Sequence, residues 1–196
     1  MKVTTSALKP QLGFSLIEIM AVMFIIVILL TFVVGAFGWV ETSKRERTAQ
    51  VFVQRISTGI EEFRMDNGFY PDGDGSETST NAVYQALMGD YNDDGLPDKD
   101  PKTGVRNHVY VEEINPSQQS KSEPNVSKYK KKFCLIDPWG TPYRYRLGFQ
   151  ERSKDGKGDY GKGQNPDFDF WSLGQDGKGN LEDNKLGVNS DNIGNM

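Results

Sequence analysis

Residues 13–40 read GFSLIEIMAVMFIIVILLTFVVGAFGWV, and the chain is organised around them. From Phe14 onward the only interruptions of the apolar run are Ser15, Glu18, Thr31, Gly35 and Gly38. The uncharged part, Ile19 to Val40, holds 22 residues, enough to cross a bilayer core of about 30 Å as a helix. Ahead of it stands a short polar segment, residues 1–13, carrying Lys2 and Lys9. An ordinary secretory signal has a shorter apolar region that ends in an A-x-A-like site. Val34-Gly35-Ala36 is a poor version of such a site, so the apolar run is expected to stay in the mature protein. A carboxylate so close to the start of a span, as at Glu18, is costly and usually functional and paired. A solvated place at the headgroup level is the alternative, and charge alone leaves both readings open.

Gly13-Phe14-Ser15-Leu16-Ile17-Glu18, placed between a short basic leader and an apolar run, resembles the cleavage site of the type IV prepilin-like family. That family includes type IV prepilins and the pseudopilins of type II secretion. The resemblance implies a cytoplasmic leader, residues 1–13, cut off between Gly13 and Phe14 by a prepilin peptidase that also N-methylates Phe14. It further implies an assembly role for Glu18, fifth in the mature chain. The chemistry is intelligible: the cut creates an α-amine at Phe14, and Glu18 of a neighbouring subunit is positioned to neutralise it. Such a buried pair adds little net stability, but losing one partner costs about 3–5 kcal/mol. The positive-inside rule does not fix orientation, since Lys44, Arg45 and Arg47 on the far flank balance Lys2 and Lys9; the motif does.

No proline occurs between Gln11 and Tyr70, so helix is expected to continue past the apolar run. Ala49, Phe52, Val53, Ile56, Ile60 and Phe63 form one apolar stripe on an otherwise charged helix, and Asn67-Gly68 supplies a stop. A helix over about 14–66 would be roughly 80 Å long. Residues 81–88 read as a short second helix. Residues 89–128 are polar and loop-rich, with Val109-Tyr110-Val111 as a brief strand, and the basic run 128–132 (KYKKK) reads as a solvated strand flank. Phe133 to Ile136 leads into the rigid turn Asp137-Pro138-Trp139-Gly140-Thr141-Pro142. Tyr143, Tyr145, Leu147 and Phe149 then alternate with polar residues or glycine, and Asp167 to Ser172 alternates again, as half-buried strands do.

Asn67-Gly68-Phe69-Tyr70-Pro71, DPWGTPYRYR from Asp137, FDFWSLGQDG from Phe168 and the ending Asp191-Asn192-Ile193-Gly194-Asn195 together resemble the major pseudopilins of type II secretion. Residues 89–128 stand outside that pattern as an insertion. The expected fold is therefore α+β: a long N-terminal helix, one half transmembrane and one half amphipathic, packed on a small antiparallel sheet with a C-terminal metal-binding loop. The expected divisions are 1–13 leader, 14–40 transmembrane and filament-core helix, and 41–196 periplasmic domain. The resemblance implies a structural subunit of a periplasmic pseudopilus, with a type IV pilin or DNA-uptake pilin as the alternative. It implies a homopolymer that meets minor pseudopilins, an inner-membrane assembly platform and a secretin. The implied location is first the inner membrane, as a single-pass protein, and then the pseudopilus.

Lys154 to Met196 hold nine glycines and eight acidic residues, too little apolar material to order themselves, so either disorder or a bound cation is expected. Calcium takes six to eight oxygens from carboxylates and carbonyls. The resemblance implies one calcium in this loop, with Asp176 and Asp191 as carboxylate ligands, Leu173 offering its carbonyl and Asn192 its amide oxygen. Asp90-Tyr91-Asn92-Asp93-Asp94-Gly95 opens like an EF-hand loop, yet Pro101 stands where the bidentate glutamate belongs. A second calcium, closed by Asp98 or Asp100, and a solvated acidic turn are both open.

The formal net charge of −4 gives no reason to expect nucleic acid. Cys134, the single cysteine, lies in an apolar string and reads as a buried small hydrophobe. His108, the single histidine, reads as an exposed loop residue. No nucleophile elbow, metal-binding histidine cluster or phosphate loop is present, so an enzyme is not expected. A calcium-dependent binding module on a membrane tether is the third class, and it need be neither cut at Gly13 nor polymerised.

Overall fold

The computed structural model describes residues 13–121, 124–148, 164–179 and 191–195, with backbone only over 32–39. The chain divides between Thr42 and Ser43 into two compact units. Helix α1 spans Leu16–Asn67 and contributes to both.

In the first unit every described side chain from Gly13 to Thr31 is exposed, Phe14 at 87% and Leu16 at 78% among them. This part of α1 is apolar all round and has nothing in its own unit to bury against. Among the described residues no helix is long and apolar enough to cross a membrane; the run Ile19–Val40 falls partly on 32–39, whose side chains lie outside the description.

The second unit is built on the amphipathic part of α1. Ala49, Phe52, Val53, Ile56, Ile60 and Phe63 are all buried, so the stripe read from the sequence is the core face. Gly68 ends the helix with φ +82°, its N–H donating to the Arg64 carbonyl at 2.7 Å; only glycine takes up that left-handed conformation without strain. Helix α2, Thr80–Met88, buries Val83, Tyr84, Ala86, Leu87 and Met88 in the same core.

The segment Val109–Val111 is not a strand. Val111 is fully buried and the Tyr110 N–H donates to the Leu87 carbonyl at 2.8 Å, so the alternation reflects a loop tied down over α2. Two 3-10 turns follow, Glu112–Ile114 and Pro116–Gln118. Strands β1 (Val126–Tyr129) and β2 (Lys132–Leu135) form an antiparallel hairpin with Tyr129 opposite Lys132. The basic run therefore straddles a tight turn and does more than flank a strand.

A second sheet holds β3 (Arg144–Leu147), β4 (Phe168–Ser172) and β5 (Ile193–Gly194) in that order, all antiparallel. Phe149, expected to extend β3, lies outside the described residues. The final residues, read as a turn, form the edge strand β5. The strands are not simply half-buried. Arg146 and Asp169, opposite each other in register, are both buried and paired at 3.4 Å. Every residue of β4 is buried. Across the core, Tyr143 stacks between Phe52 of α1 and Phe170 of β4, with ring centroids 5.3 and 5.0 Å apart. The fold is thus α+β, with a long N-terminal helix and two small antiparallel sheets.

Candidate functional site

Gly13, Phe14 and Ser15 precede α1 in non-helical backbone, Phe14 is exposed, and among the described residues Gly13 has no neighbour crowding its α-carbon. Glu18 sits in the first turn, and its carboxylate accepts the Ser15 N–H at 2.7 Å. Ser15 stands just before the first helical residue and Glu18 three residues on, the S-x-x-E spacing of a capping box. One half of that box, glutamate to serine N–H, is formed here. The sequence carried this signal, and it gives Glu18 a local role. In a single chain Glu18 holds the helix start in place, and its side chain remains exposed.

At the other end, the predicted calcium ligands split into two short segments, Leu173–Asp176 and Asp191–Asn192, which the fold brings together. The Asp176 N–H donates to Asp191 Oδ2 at 3.2 Å. Gly174, at φ +70°, lies so close to Asp191 that any side chain there would collide with its backbone oxygen and carboxylate. The base of the loop is anchored to the Asp137–Pro142 turn. Ser172 Oγ donates to Asp137 Oδ2 at 2.6 Å, and the Gly174 N–H donates to Ser172 Oγ at 2.9 Å. Asp137 also accepts the N–H groups of Trp139 and Thr141 at 3.1 and 2.8 Å. Burial nevertheless raises its pKa, with these hydrogen bonds opposing the shift. The tail is clamped by Asn195, whose side chain accepts the Phe170 N–H at 2.9 Å and donates to the Phe168 carbonyl at 3.1 Å. That clamp was not legible in the sequence, because it depends on which strand the tail pairs with.

The residue types fit calcium, which takes carboxylate, carbonyl and amide oxygens alike, although the contact formed between the two segments is from the Asp176 N–H and not from its carboxylate. Among the described residues no group of three or more acidic, histidine or cysteine side chains is arranged to hold a metal. The Asp90–Asp100 loop accords with that. Buried Asp90 accepts the Tyr84 hydroxyl and the Gly95 N–H, both at 2.7 Å. Asp98 accepts the Tyr91 N–H and the Asn92 amide at 2.7 and 2.8 Å. Its carboxylates are partnered by the protein's own donors.

Cys134 is fully buried, and burial pushes its thiol pKa up, away from nucleophilic use. His108 is exposed and packs edge-on against Tyr110. A cleft of ≈ 430 Å³ is lined by Glu77, Lys130, Arg144 and Trp171. Glu77 pairs there with Lys130 at 2.8 Å and Arg144 at 3.9 Å.

An apolar helix presented to its surroundings, a small α+β head and an exposed Gly-Phe junction define a prepilin-like subunit. Residues 8–34 match the prokaryotic N-terminal methylation motif. The chain is also 30% identical to Type II secretion system core protein G of Pseudomonas aeruginosa over 180 residues, 92% of this chain and 94% of that protein. The chain belongs to the family of type II secretion major pseudopilins, and it is a structural subunit of a pseudopilus assembled with other secretion components.

Proposed function

We propose that the chain is made as a prepilin and cut between Gly13 and Phe14 by a prepilin peptidase that methylates Phe14. It then waits in the inner membrane as a single-pass protein with its leader cytoplasmic, held by residues 14–40. From there it polymerises through α1 into the periplasmic pseudopilus, in company with minor pseudopilins, the assembly platform and the secretin. Glu18 neutralises the Phe14 amine of a neighbouring copy during entry. The observation that supports this most is the open Gly13–Phe14 junction directly ahead of an apolar helix, within the matched methylation motif. Intact-mass measurement of the protein from membranes is expected to give a chain starting at Phe14 with one added methyl. A mature chain starting near Ala36 would overturn the reading.

We further propose that the C-terminal loop holds calcium through Asp176, Asp191, the Leu173 carbonyl and Asn192. A bound calcium ion would supply positive charge that relieves repulsion between the two carboxylates and ties the segments together. The chain's own part is to present them: Gly174 lets Asp191 approach, and Ser172 with Asp137 fixes where the loop leaves β4.

A further inference from the structure

The β1–β2 hairpin turns on Lys130 and Lys131, at φ +50° and +72°. A two-residue turn with both φ values positive strongly prefers Asn-Gly or Asp-Gly. Lysine adopts this conformation only with strain. Sequence and local conformation thus disagree here, and such disagreements are found where a position serves something other than folding. The result is a cationic tip. Lys128 lies over the Phe133 ring at 4.6 Å and Lys130 pairs with Glu77, whereas the exposed Lys131 and Lys132 make no ion pair among the described residues.

The complementary feature lies elsewhere on the same unit. Glu112 and Glu113, side by side on the 3-10 turn in the insertion, are exposed. Their carboxylates make no hydrogen bond or ion pair among the described residues. Two unlike patches on one chain, each carrying unpaired charge of opposite sign, fit a heterologous contact, which propagates from copy to copy as an open helical assembly requires. We propose that the Lys131–Lys132 tip of the hairpin docks on Glu112–Glu113 of a second copy of this chain, a heterologous contact between the second units of neighbouring subunits. The inference rests on the reading of the chain as a polymerising subunit, and it concerns this chain's own hairpin and insertion.

The test uses the full-length chain assembled in membranes from a mixture of isotopically light and heavy copies. A zero-length carbodiimide is expected to form amide bonds between Lys131 or Lys132 of one copy and Glu112 or Glu113 of another, seen as mixed light–heavy peptides. Reversing both lysines to glutamate should lower that yield and the amount of polymer about fivefold, the scale of two exposed ion pairs together. Adding the reverse change, Glu112→Lys with Glu113→Lys, should restore polymer. Lys130→Asn with Lys131→Gly gives the turn its preferred residues, so it should raise the melting temperature by a few degrees while lowering the yield. Polymer that forms without these cross-links, or that is indifferent to the reversals, overturns the contact and leaves the filament reading intact. So does a tip whose charge matters only for binding vesicles of anionic lipid. A wild-type chain left uncut at Gly13 and unpolymerised would overturn both.

Discussion

Glu18 carries two demands that a single substitution can separate. It holds the Ser15 N–H at 2.7 Å, and in the proposed assembly its charge neutralises a neighbour's amine. Glu18→Gln keeps an acceptor for Ser15 but cannot neutralise a cation, whereas Glu18→Leu removes both. Both variants are expected to be inserted and cut after Gly13, and both to fail in assembly, since an unpaired buried amine costs about 3–5 kcal/mol. Pelleted polymer from cells decides the matter: normal assembly of the glutamine variant would assign Glu18 to helix capping alone. Asp137 makes a second residue-scale case. Burial raises its pKa in the fold above the unfolded value of about 3.9. The folded state therefore holds the proton more tightly. The resulting stabilisation is full below the unfolded pKa and is lost as pH rises through the folded one. Asp137→Asn has no proton to lose. The melting temperature of wild type relative to this variant should thus improve as pH falls towards 4, and a difference constant across pH would refute the assignment.

At the scale of elements, the C-terminal loop should be the part most dependent on a ligand. A species that binds only the folded state stabilises it by RT ln(1 + [L]/Kd). For an extracytoplasmic calcium site with Kd of about 10⁻⁴ M, millimolar calcium adds roughly 1.4 kcal/mol. A soluble fragment beginning at Glu41 should then melt a few degrees higher in calcium than in EGTA. Asp176→Ala and Asp191→Ala should each abolish the shift and Asp94→Ala should not; identical melting in both buffers removes calcium from the account. The elements themselves were unevenly legible. Helix periodicity announced α1 from Ala49 to Phe63, and the turn residues around Pro138 and Gly140 placed the strands on either side. The hairpin tip escaped, because Lys-Lys carries none of the turn chemistry that marks such a bend. Val109–Val111 misled for the opposite reason: its alternation answers to packing over α2, and a loop can alternate as well as a strand. Of the candidate site, Asp176 and Asp191 came from the resemblance, and the fold brings their segments into contact through the Asp176 N–H, whereas the Asp137–Ser172–Gly174 relay depends on tertiary apposition that no local pattern encodes.

For the whole molecule, the two units differ in what completes them. The second has a closed core of α1, α2 and both sheets. The first leaves Leu16 to Leu30 exposed, and a helix bare on every side is stable only in lipid or among other such helices. In the head, the three-ring stack of Phe52, Tyr143 and Phe170 joins α1 to the strand β4. Aromatic rings in contact resist sliding because their packing leaves no free volume to move into. Within the second unit, a load placed on Phe52 is therefore passed through Tyr143 to Phe170, so the stack works as a rivet that makes helix and sheet yield together.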